Sequence, residues 1–387
     1  MHAAVQTRWQ RLTTMRALIV KTSSLGDVIH TLPAVTDAAR ALPDVRFDWV
    51  VEEAFAEIPR WHPAVDQVIP VALRRWRKQP LQAWRSGKWG SFRQAIGARA
   101  YDAVIDAQGL LKSAWLSRFA HGPRHGLDRH SARESLASLN YQHRHPVAWG
   151  RHAVLRVREL FAHALGYPLP ADAHLAAPAP GSNPYGLDRA RLLAGRGPSS
   201  ASVPYLLFLH GTTWPTKHWP AYYWRQLAEQ ATAAGWEVHL PWGNIAEQAR
   251  AEQIAADLPA ARVLPKLSLA GIAAELAGAT ACVAVDTGLA HLAAALAVPS
   301  VSLYGPTNPG FTGSWGANQL HLAAEFPCAP CLKKDCSYQA GTAERAAADF
   351  ALVQPRCFSR LPPPRVWQAV QQLIARTAND AAAPEAV

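Results

Sequence analysis

The stretch Arg16-Ala-Leu-Ile-Val-Lys-Thr-Ser-Ser-Leu-Gly-Asp-Val28 decides the fold class, because an apolar strand, a turn and the start of a helix follow one another directly. The helical spacing of apolar residues continues from Val28 to Leu42. Further apolar strands follow at intervals long enough for a helix, at Phe47–Val51, Val68–Leu73 and Asp102–Asp106. This alternation predicts βαβ units, and therefore a parallel sheet with helices on both faces.

The alternation starts again after a segment rich in Pro and Gly, Ala171–Val203, which we interpret as a domain boundary. Five more strands are predicted beyond it, at Tyr205–His210, Glu237–Leu240, Arg262–Leu264, Ala281–Val285 and Ser300–Tyr304. The sequence therefore predicts an α/β fold with two doubly wound, Rossmann-like domains, 15–180 and 200–360, that face a central cleft. Residues 361–387 form a tail whose helix, Pro364–Ala375, is expected to pack back on the first domain.

Composition and charge narrow the class of protein. Hydrophobic residues make up 49% of the 387 residues and charged residues 17%, which excludes a disordered or fibrous chain. The net charge of +11 favours a phosphate-bearing partner, which can be nucleic acid, anionic lipid or a phosphorylated substrate. The few cysteines indicate a reduced, cytoplasmic protein, and we do not expect the polar segment Met1–Thr14 to act as a secretory signal. Residues 287–324 carry no charge, but their many Gly and Pro residues favour a buried core over a membrane-spanning helix.

The turn after the first strand is the sharpest candidate for chemistry. Gly26 lets a ligand approach the backbone closely, and Asp27 falls in the first turn of the following helix. The Asp27 carboxylate could cap that helix or, at the carboxyl edge of the strand, act as a general base. The turn is neither G-x-G-x-x-G nor a Walker A loop, which argues against a dinucleotide-dependent oxidoreductase.

Polar residues also follow the first two strands of the second domain. His210-Gly-Thr-Thr213 and Lys217-His-Trp-Pro220 offer hydroxyls, backbone amides and one lysine to an anion. Glu247 stands close behind the second strand end, Leu240-Pro-Trp-Gly243. A carboxylate at that place can hold a ribose, and the alternative is a solvated side chain on a helix face.

Two later strands of the second domain end in the same manner. Asp286-Thr-Gly-Leu-Ala-His291 follows one of them, and Tyr304-Gly-Pro-Thr307 follows the next. Taken singly, Asp286 would be a helix cap and His291 a core histidine. The convergence of four polar strand ends instead predicts a phosphate-binding edge of the sheet.

These motifs, in this order, resemble glycosyltransferase family 9, the heptosyltransferases. The resemblance runs from Met15 to about Thr312 and is carried by Ser23-Ser-Leu-Gly-Asp-Val28 and the second-domain motifs. The first-domain motifs most resemble the family members that add the first heptose, and they are Leu18-Ile-Val-Lys-Thr-Ser-Ser24, Asp48-Trp-Val-Val-Glu-Glu53, Arg74-Arg-Trp-Arg-Lys78 and Val104-Ile-Asp-Ala-Gln-Gly109.

The resemblance implies a GT-B fold and an inverting transfer of L-glycero-D-manno-heptose from ADP-heptose. The implied acceptor is the first Kdo of Kdo2-lipid A, in the biosynthesis of the lipopolysaccharide inner core. The alternative is another member of the family, such as heptosyltransferase II, which acts on a heptosylated core. The resemblance also implies that no cofactor and no catalytic metal is required, which fits a lysine and helix N-termini that carry the electrostatic work.

The resemblance also implies a role for individual residues. Asp27 matches the catalytic base, and Lys217 would neutralise the charge that grows on the departing ADP. The implied donor site consists of Thr212, Thr213, Lys217, Trp242, Glu247, Leu267, Asp286, Thr287, Gly288, Leu289 and His291. The implied acceptor site consists of Lys21, Ser24, Gly26, Arg74, Arg75, Arg77, Lys78, Gln108 and Arg133.

A basic, aromatic segment of the first domain suggests where the protein works. Arg74–Lys78 and Trp84–Trp89 interleave tryptophan with positive charge, which suits an anionic membrane surface, although such a run can also be a solvated face. Because the resemblance implies a lipid A acceptor, we expect peripheral contact with the cytoplasmic face of the inner membrane. A nucleic-acid-binding module would also explain the charge, but it leaves the polar strand ends unexplained, so no nucleic acid is expected.

Two features depart from the family pattern. The turn Trp214-Pro-Thr216 is less polar than usual in the family, which could change how Lys217 reaches the phosphates. Four cysteines, Cys328, Cys331, Cys336 and Cys357, lie within thirty residues of one another. They could form a structural zinc site, and free thiols or a disulfide are the alternatives.

Overall fold

A computed structural model describes residues 14–79, 85–175, 177–179, 181–196, 203–346 and 349–382. Most of the segment Met1–Thr14 and the Trp84 end of the basic segment therefore lie outside the described residues. The chain divides into two compact units. Of the described residues, the first unit contains those up to Ser23, those of Thr31–Trp149 and those of Leu155–Ala173. The second unit contains Ser24–His30, Gly150–Val154 and the described residues from His174 onward.

The first unit is built on a parallel six-stranded sheet in the order β3-β2-β1-β4-β5-β6. Its strands are β1 (Arg16–Val20), β2 (Arg46–Glu52), β3 (Val65–Val71), β4 (Ala103–Asp106), β5 (Arg124–Leu127) and β6 (His143–His145). Ile19 of β1 pairs with Trp49 of β2 on one side and with Ile105 of β4 on the other. The strand order reverses between β1 and β4, so the carboxyl ends of these two strands are the expected ligand-binding edge.

The second unit repeats the same order of strands. Its sheet runs β12-β11-β10-β7-β8-β9, with every described pairing parallel. The strands are β7 (Tyr205–Leu209), β8 (Glu237–Leu240), β9 (Ala261–Val263), β10 (Ala281–Val285), β11 (Ser300–Tyr304) and β12 (Gln319–Ala323). Here the order reverses between β7 and β10, both of which are fully buried. The prediction of two doubly wound parallel sheets is confirmed.

The helices lie between the strands along the chain. In the first half of the sequence they are Leu25–Ile29, Leu32–Ala41, Glu57–Arg60, Leu73–Lys78, Lys88–Gly97, Leu111–Ser117 and Ala153–Leu165. In the second half they are Arg189–Leu193, Ala221–Ala233, Ile245–Ala255, Leu269–Gly278, Gly288–Ala295, Pro309–Thr312, Thr342–Arg345 and Pro363–Ala382. Short 3₁₀ helices cover Glu53–Phe55, Ser135–Asn140, Ala171–His174, Pro215–Lys217 and Arg356–Arg360.

The first helix is shorter than its apolar spacing predicts. The structure replaces the single helix Val28–Leu42 by Leu25–Ile29 and Leu32–Ala41. Pro33 stands in the first turn of the second piece, and a proline has no N–H with which to continue the hydrogen bonding of the preceding helix. The break lies between Ser24–His30, which belongs to the second unit, and Leu32–Ala41, which belongs to the first unit.

The last helix packs on the second unit, which corrects the expectation that it packs back on the first domain. Val366, Val370 and Leu373 of Pro363–Ala382 are buried in the same core as Phe208 of β7 and Leu303 of β11. An amphipathic helix buries its apolar face where a complementary core is available, and the sheet of the second unit supplies that core. The spacing of apolar residues predicts the helix, but it does not predict which sheet the helix covers.

No helix in the described part of the chain is long and apolar enough to cross a membrane. The uncharged stretch 287–324 is divided into the helix Gly288–Ala295, β11, the helix Pro309–Thr312 and β12. The interpretation of this stretch as the buried core of an α/β domain is therefore confirmed for Ala290–Ala295 and β11, whereas the helix Pro309–Thr312 and β12 are only partly buried.

Candidate active site

The polar strand ends predicted from the sequence come together at one edge of the second sheet. The strands β11, β10, β7 and β8 are consecutive neighbours in the sheet, and their carboxyl ends carry Thr307, Asp286, Thr212 and Gly243. The reversal of strand order between β10 and β7 lies in the middle of this set. Ligands of doubly wound sheets bind at such a reversal.

Asp286 is the centre of the hydrogen-bond network at this edge. Its side chain is buried, and its Oδ2 atom lies 2.7 Å from the Nζ atom of Lys217. The same oxygen accepts a 2.6 Å hydrogen bond from the hydroxyl of Thr307. The backbone carbonyl of Asp286 accepts a 3.0 Å hydrogen bond from the hydroxyl of Thr212. One residue therefore ties together the ends of β7, β10 and β11.

A short turn holds Lys217 beside Asp286. Lys217 ends the 3₁₀ helix Pro215–Lys217, and its ammonium lies 4.6 Å from the centre of the Trp214 ring. The hydroxyl of Thr216 donates a 2.6 Å hydrogen bond to the carbonyl of Lys333, which anchors the turn. The less polar Trp214-Pro-Thr216 turn thus brings the lysine to the strand ends. Thr213 is exposed in the same turn.

The helix Gly288–Ala295 begins directly behind Asp286. Thr287 precedes the helix in an extended conformation, so the amides of Gly288 and Leu289 stand in its first turn. Such amides, with the positive end of the helix dipole, bind phosphate groups. Gly288 is also a close-packing position, because a Cβ atom there would lie 2.8 Å from the side chain of Leu25.

Glu247 is packed against the ends of β7 and β8 rather than extended into solvent from a helix face. Its Oε2 atom accepts a 2.8 Å hydrogen bond from the backbone N–H of Gly243. A Cβ atom on Gly211 would lie only 2.8 Å from its carboxylate carbon. At this position a carboxylate can bind the two hydroxyls of a ribose, as acidic residues do in other nucleotide-binding sheets.

The predicted residues Trp242 and Leu267 lie in the same part of the second unit. The indole N–H of Trp242 donates a 2.7 Å hydrogen bond to the carbonyl of Leu264, which fixes the ring at the end of β8. Leu267 is half-buried and lies against Gly271, at 3.3 Å from a Cβ atom built there. Lys266 places its ammonium 6.0 Å from the centre of the Trp242 ring.

Asp27 is half-buried in the helix Leu25–Ile29 and does cap that helix. Its Oδ2 atom accepts hydrogen bonds from the backbone N–H and from the hydroxyl of Ser24, both at 2.8 Å. The capping role considered from the sequence is therefore real. Both of these bonds reach the same carboxylate oxygen.

The helix that carries Asp27 is packed on the helix that follows Asp286. The Nε2 atom of His30 lies 3.0 Å from the Nδ1 atom of His291, and both rings are buried. Burial lowers the pKa of His291 to about 4, although the nearby carboxylates of Asp286 and Asp27 act in the opposite direction. The His291 imidazole is therefore neutral near pH 7, and it joins the two helices through its hydrogen bond with His30.

His30 was not predicted as a site residue. Its partner lies 261 residues away in the sequence, and nothing local marks the contact. The spacing Gly26-x-x-x-His30 is the one available signal, since it places a small residue and a hydrogen-bonding residue on one helical face.

Replacing Gly26 by alanine should lower both activity and thermal stability. A Cβ atom at this position would lie 2.5 Å from the Cδ2 atom of His291. The helix that carries Asp27 must therefore move away from the helix Gly288–Ala295. Overpacking of this kind costs about 1–3 kcal/mol of unfolding free energy, and we expect at least a tenfold fall in kcat. Gly90→Ala is the matched control, because a Cβ atom there meets nothing within 4 Å. Equal melting temperatures and rates for the two variants would contradict the packing argument.

The predicted acceptor residues Lys21 and Gln108 lie at the carboxyl ends of β1 and β4 in the first unit. Lys21 is buried, and its ammonium donates a 2.9 Å hydrogen bond to the carbonyl of Ala107. The Oε1 atom of Gln108 accepts bonds of 2.8 Å from the N–H and the hydroxyl of Thr22. Both residues thus join the two strands between which the order reverses, and their part in acceptor binding stays a prediction.

The basic acceptor residues lie on the surface of the first unit. Arg74, Arg75, Arg77 and Lys78 are exposed on the helix Leu73–Lys78, and Arg133 is exposed farther along the chain. Arg75 forms a 2.9 Å ion pair with Glu53, in which both side chains are nearly half exposed. Exposed cations of this kind can exchange such a weak pair for an anionic ligand.

The four clustered cysteines do not fit the predicted zinc site. All of them are free thiols, and burial, followed by the neighbouring thiols, raises the pKa of Cys357 to about 12. Within the ranges that the structure describes, no group of three or more His, Cys, Asp or Glu side chains is arranged to hold a metal ion. The structure therefore favours the free-thiol alternative for this loop.

The chain has two α/β units with the same strand order. In the second unit, a lysine and a helix N-terminus lie at the strand ends, and a carboxylate lies on an adjoining helix. These features define a class, the glycosyltransferases of GT-B fold. A family model described as "Glycosyltransferase family 9 (heptosyltransferase)" matches residues 89–341. The chain belongs to glycosyltransferase family 9, the heptosyltransferases, as the sequence motifs predicted.

Named relatives and solved structures agree with this assignment. Lipopolysaccharide heptosyltransferase 1 of Pseudomonas aeruginosa is 60% identical over 93% of this chain and 98% of its own length. The enzyme of the same name from Escherichia coli K12 is 51% identical over 79% of this chain and 92% of its own length. The structure of E. coli heptosyltransferase WaaC with ADP-2-deoxy-2-fluoro heptose matches with a TM-score of 0.75 and 44% identity, over 92% of this chain and 99% of that one. E. coli heptosyltransferase II shares the fold, with a TM-score of 0.66 at 20% identity over 94% of this chain and 99% of that one.

Proposed function

We propose that this enzyme transfers L-glycero-D-manno-heptose from ADP-heptose to the first Kdo of Kdo2-lipid A, with inversion at the anomeric carbon. The observation that carries the proposal is the packing of the Asp27 helix on the helix behind Asp286, because it joins a candidate base to an anion-binding edge in one unit. The identity to enzymes named lipopolysaccharide heptosyltransferase 1 supports this choice of donor and acceptor.

The chemistry assigns one step to each group. Asp27 takes the proton from the acceptor hydroxyl while that oxygen forms a bond to the anomeric carbon of the heptose. The bond from the anomeric carbon to the diphosphate breaks in the same displacement, and ADP departs. Lys217 and the first amides of Gly288–Ala295 stabilise the negative charge that develops on the leaving diphosphate. Thr212 and Thr213 add hydroxyl donors to the same phosphates.

Donor and acceptor are assigned to the two predicted domains. The second domain, 200–360, holds ADP-heptose, with Glu247 at the ribose of the adenosine and Trp242 and Leu267 beside it. The first domain, 15–180, binds the acceptor through Lys21, Gln108 and its exposed arginines. The carboxylates of Kdo and the phosphates of lipid A need such cationic partners.

The acceptor is a membrane lipid, so we place the enzyme at the cytoplasmic face of the inner membrane as a peripheral protein. The exposed helix Leu73–Lys78 supports this placement, because it carries four cations and a half-buried tryptophan. Anionic lipid surfaces attract such segments.

A transfer assay with two acceptors tests the proposal. The purified enzyme is incubated with ADP-heptose and either Kdo2-lipid A or its heptosylated product, and the lipid mass is measured. We expect one heptose to be added to Kdo2-lipid A and none to the heptosylated acceptor. Transfer to the heptosylated acceptor alone would instead assign the reaction of heptosyltransferase II, and no transfer to either would overturn the proposal.

A further inference from the structure

The first unit exposes four large apolar side chains on two elements that pack against each other. Leu111 and Trp115 of the helix Leu111–Ser117 are 47% and 46% exposed. Leu136 and Leu139 of the 3₁₀ helix Ser135–Asn140 are 61% and 69% exposed. The inner sides of the two elements meet in a small core formed by Ala114, Ala137 and Tyr141. We call the four exposed residues the leucine–tryptophan patch.

Spacing places each pair of the patch on one side of its element. Leu111 and Trp115 are four residues apart in an α-helix, and Leu136 and Leu139 are three apart in a 3₁₀ helix, so each pair shares a face. Single exposed leucines are ordinary on a soluble protein. Four large apolar residues on adjoining elements instead mark an interaction surface.

The patch continues into a fixed aromatic cluster. The Trp115 ring stacks on Trp89 with 5.1 Å between ring centres and an angle of 7° between the planes. Trp89 also contacts Trp76, Phe92 and Phe119, at 5.7, 5.6 and 5.4 Å between ring centres. The tryptophan of the patch is therefore held rigidly, and tryptophan favours the interface between water and lipid.

The segment of the chain that carries the patch is cationic. Between Leu110 and His145 the chain carries six Lys or Arg residues and only two Asp or Glu residues. Four of these cations lie close to the patch along the chain and have exposed side chains: Lys112, Arg118, Arg133 and Arg144. Glu134, one of the two acids, accepts a 2.6 Å hydrogen bond from the backbone N–H of Leu111.

We propose that the leucine–tryptophan patch inserts into the interfacial region of an anionic lipid bilayer. Apolar side chains that enter the acyl boundary, ringed by cations that contact the headgroups, are how peripheral proteins bind such membranes. A lipid surface fits better than a second copy of the chain, because a symmetric contact through this patch would bring the two cationic rims together.

The place of the patch in the unit fits a lipid acceptor, and in this respect the inference rests on the proposed function. The helix that bears Leu111 and Trp115 starts three residues after Gln108, and Lys112 donates a 3.2 Å hydrogen bond to Ser23 at the end of β1. Arg133, a predicted acceptor residue, precedes Leu136 by three positions. A lipid that keeps its acyl chains in the bilayer could then present its sugar to these residues.

Vesicle sedimentation of the full-length protein tests the inference without any reaction. The vesicles are phosphatidylcholine alone, or phosphatidylcholine mixed with phosphatidylglycerol. We expect the parent to bind the anionic vesicles, and the double variant Leu136→Ser, Leu139→Ser to bind them at least tenfold more weakly. Arg118→Gln and Arg144→Gln should each weaken binding about fivefold. The control Leu193→Ser, Leu352→Ser removes two exposed leucines of the second unit and should bind like the parent.

The outcomes separate this inference from the proposed reaction. Vesicle binding that depends on the patch supports the inference, even if the parent fails to transfer heptose to Kdo2-lipid A in detergent. Equal vesicle binding by the parent and the Leu136→Ser, Leu139→Ser variant overturns it, as does a parent that binds no vesicles. A parent dimer that the same variant dissociates, without vesicle binding, would assign the patch to self-association and also overturn it.

Discussion

Replacing Asp27 by asparagine should lower kcat for heptosyl transfer by about 10²–10⁴-fold, which is the usual contribution of a positioned general base. Asparagine keeps an oxygen that can accept the hydrogen bonds of Ser24, so the helix Leu25–Ile29 should remain capped. ADP binding, measured by titration calorimetry, should stay close to that of the parent. A fall in kcat with intact nucleotide binding is the expected mark of a group that acts on the acceptor hydroxyl.

A second carboxylate separates proton transfer from helix capping. Asp27→Ala removes both the cap and the proposed base, whereas Asp188→Ala removes only the cap of the helix Arg189–Leu193, where the Asp188 carboxylate accepts a 3.0 Å bond from the backbone N–H of Arg191. Each alanine variant should lose about 1 kcal/mol of unfolding free energy. Only Asp27→Ala should lower kcat by more than a few fold. A fully active Asp27→Asn enzyme would remove the general-base assignment.

Replacing Lys217 by methionine should reduce kcat/KM for ADP-heptose by about 10²–10³-fold, and it should also weaken ADP binding. The lysine is the cation nearest Asp286 at the strand ends, at 2.7 Å, and methionine leaves no positive charge to meet the diphosphate. Electrostatic groups of this kind act most strongly on the charge that develops on the leaving group. Steady-state kinetics with varied donor, together with ADP titration, separate the loss in kcat from the loss in binding.

Lys334 provides the matched control for this prediction. Its ammonium lies 5.8 Å from the centre of the same Trp214 ring, whereas the Lys217 ammonium lies at 4.6 Å and also pairs with Asp286. Lys334→Met therefore removes a neighbouring charge but keeps the pair, and we expect less than a fivefold change. If both variants lost activity equally, the effect would be one of general charge rather than of the position of Lys217.

Much of the fold could be predicted because its strands are short apolar runs between turns. β8, β10 and β11 have the predicted bounds, and the edge formed by their ends contains the predicted Asp286. The strands β5, β6 and β12 were not predicted, because they are short or only half-buried and alternate with histidine. Periodicity gives no signal for strands of this kind.

The candidate site could be predicted as a set of residues near strand ends but not as a set of contacts. Motifs placed Asp27, Lys217 and Glu247 at strand ends, which is a local property of the sequence. The pairing of His30 with His291 and the packing of the last helix on the second unit join segments that are far apart in the chain. Such choices depend on which surfaces are complementary in three dimensions, and apolar spacing carries no information on the partner.

The membership of residues 24–30 in the second unit has a consequence for protein engineering. A chimera that grafts the first domain of one relative onto the second domain of another, cut at the interdomain segment, would unite Gly26 and His30 of one parent with His291 of the other. His30 and His291 form one hydrogen bond, and Gly26 leaves room for the His291 ring. A chimera of mismatched parents would therefore lose the packing between these two helices. A graft that transfers residues 24–30 along with the second domain should preserve turnover when the first domain is exchanged.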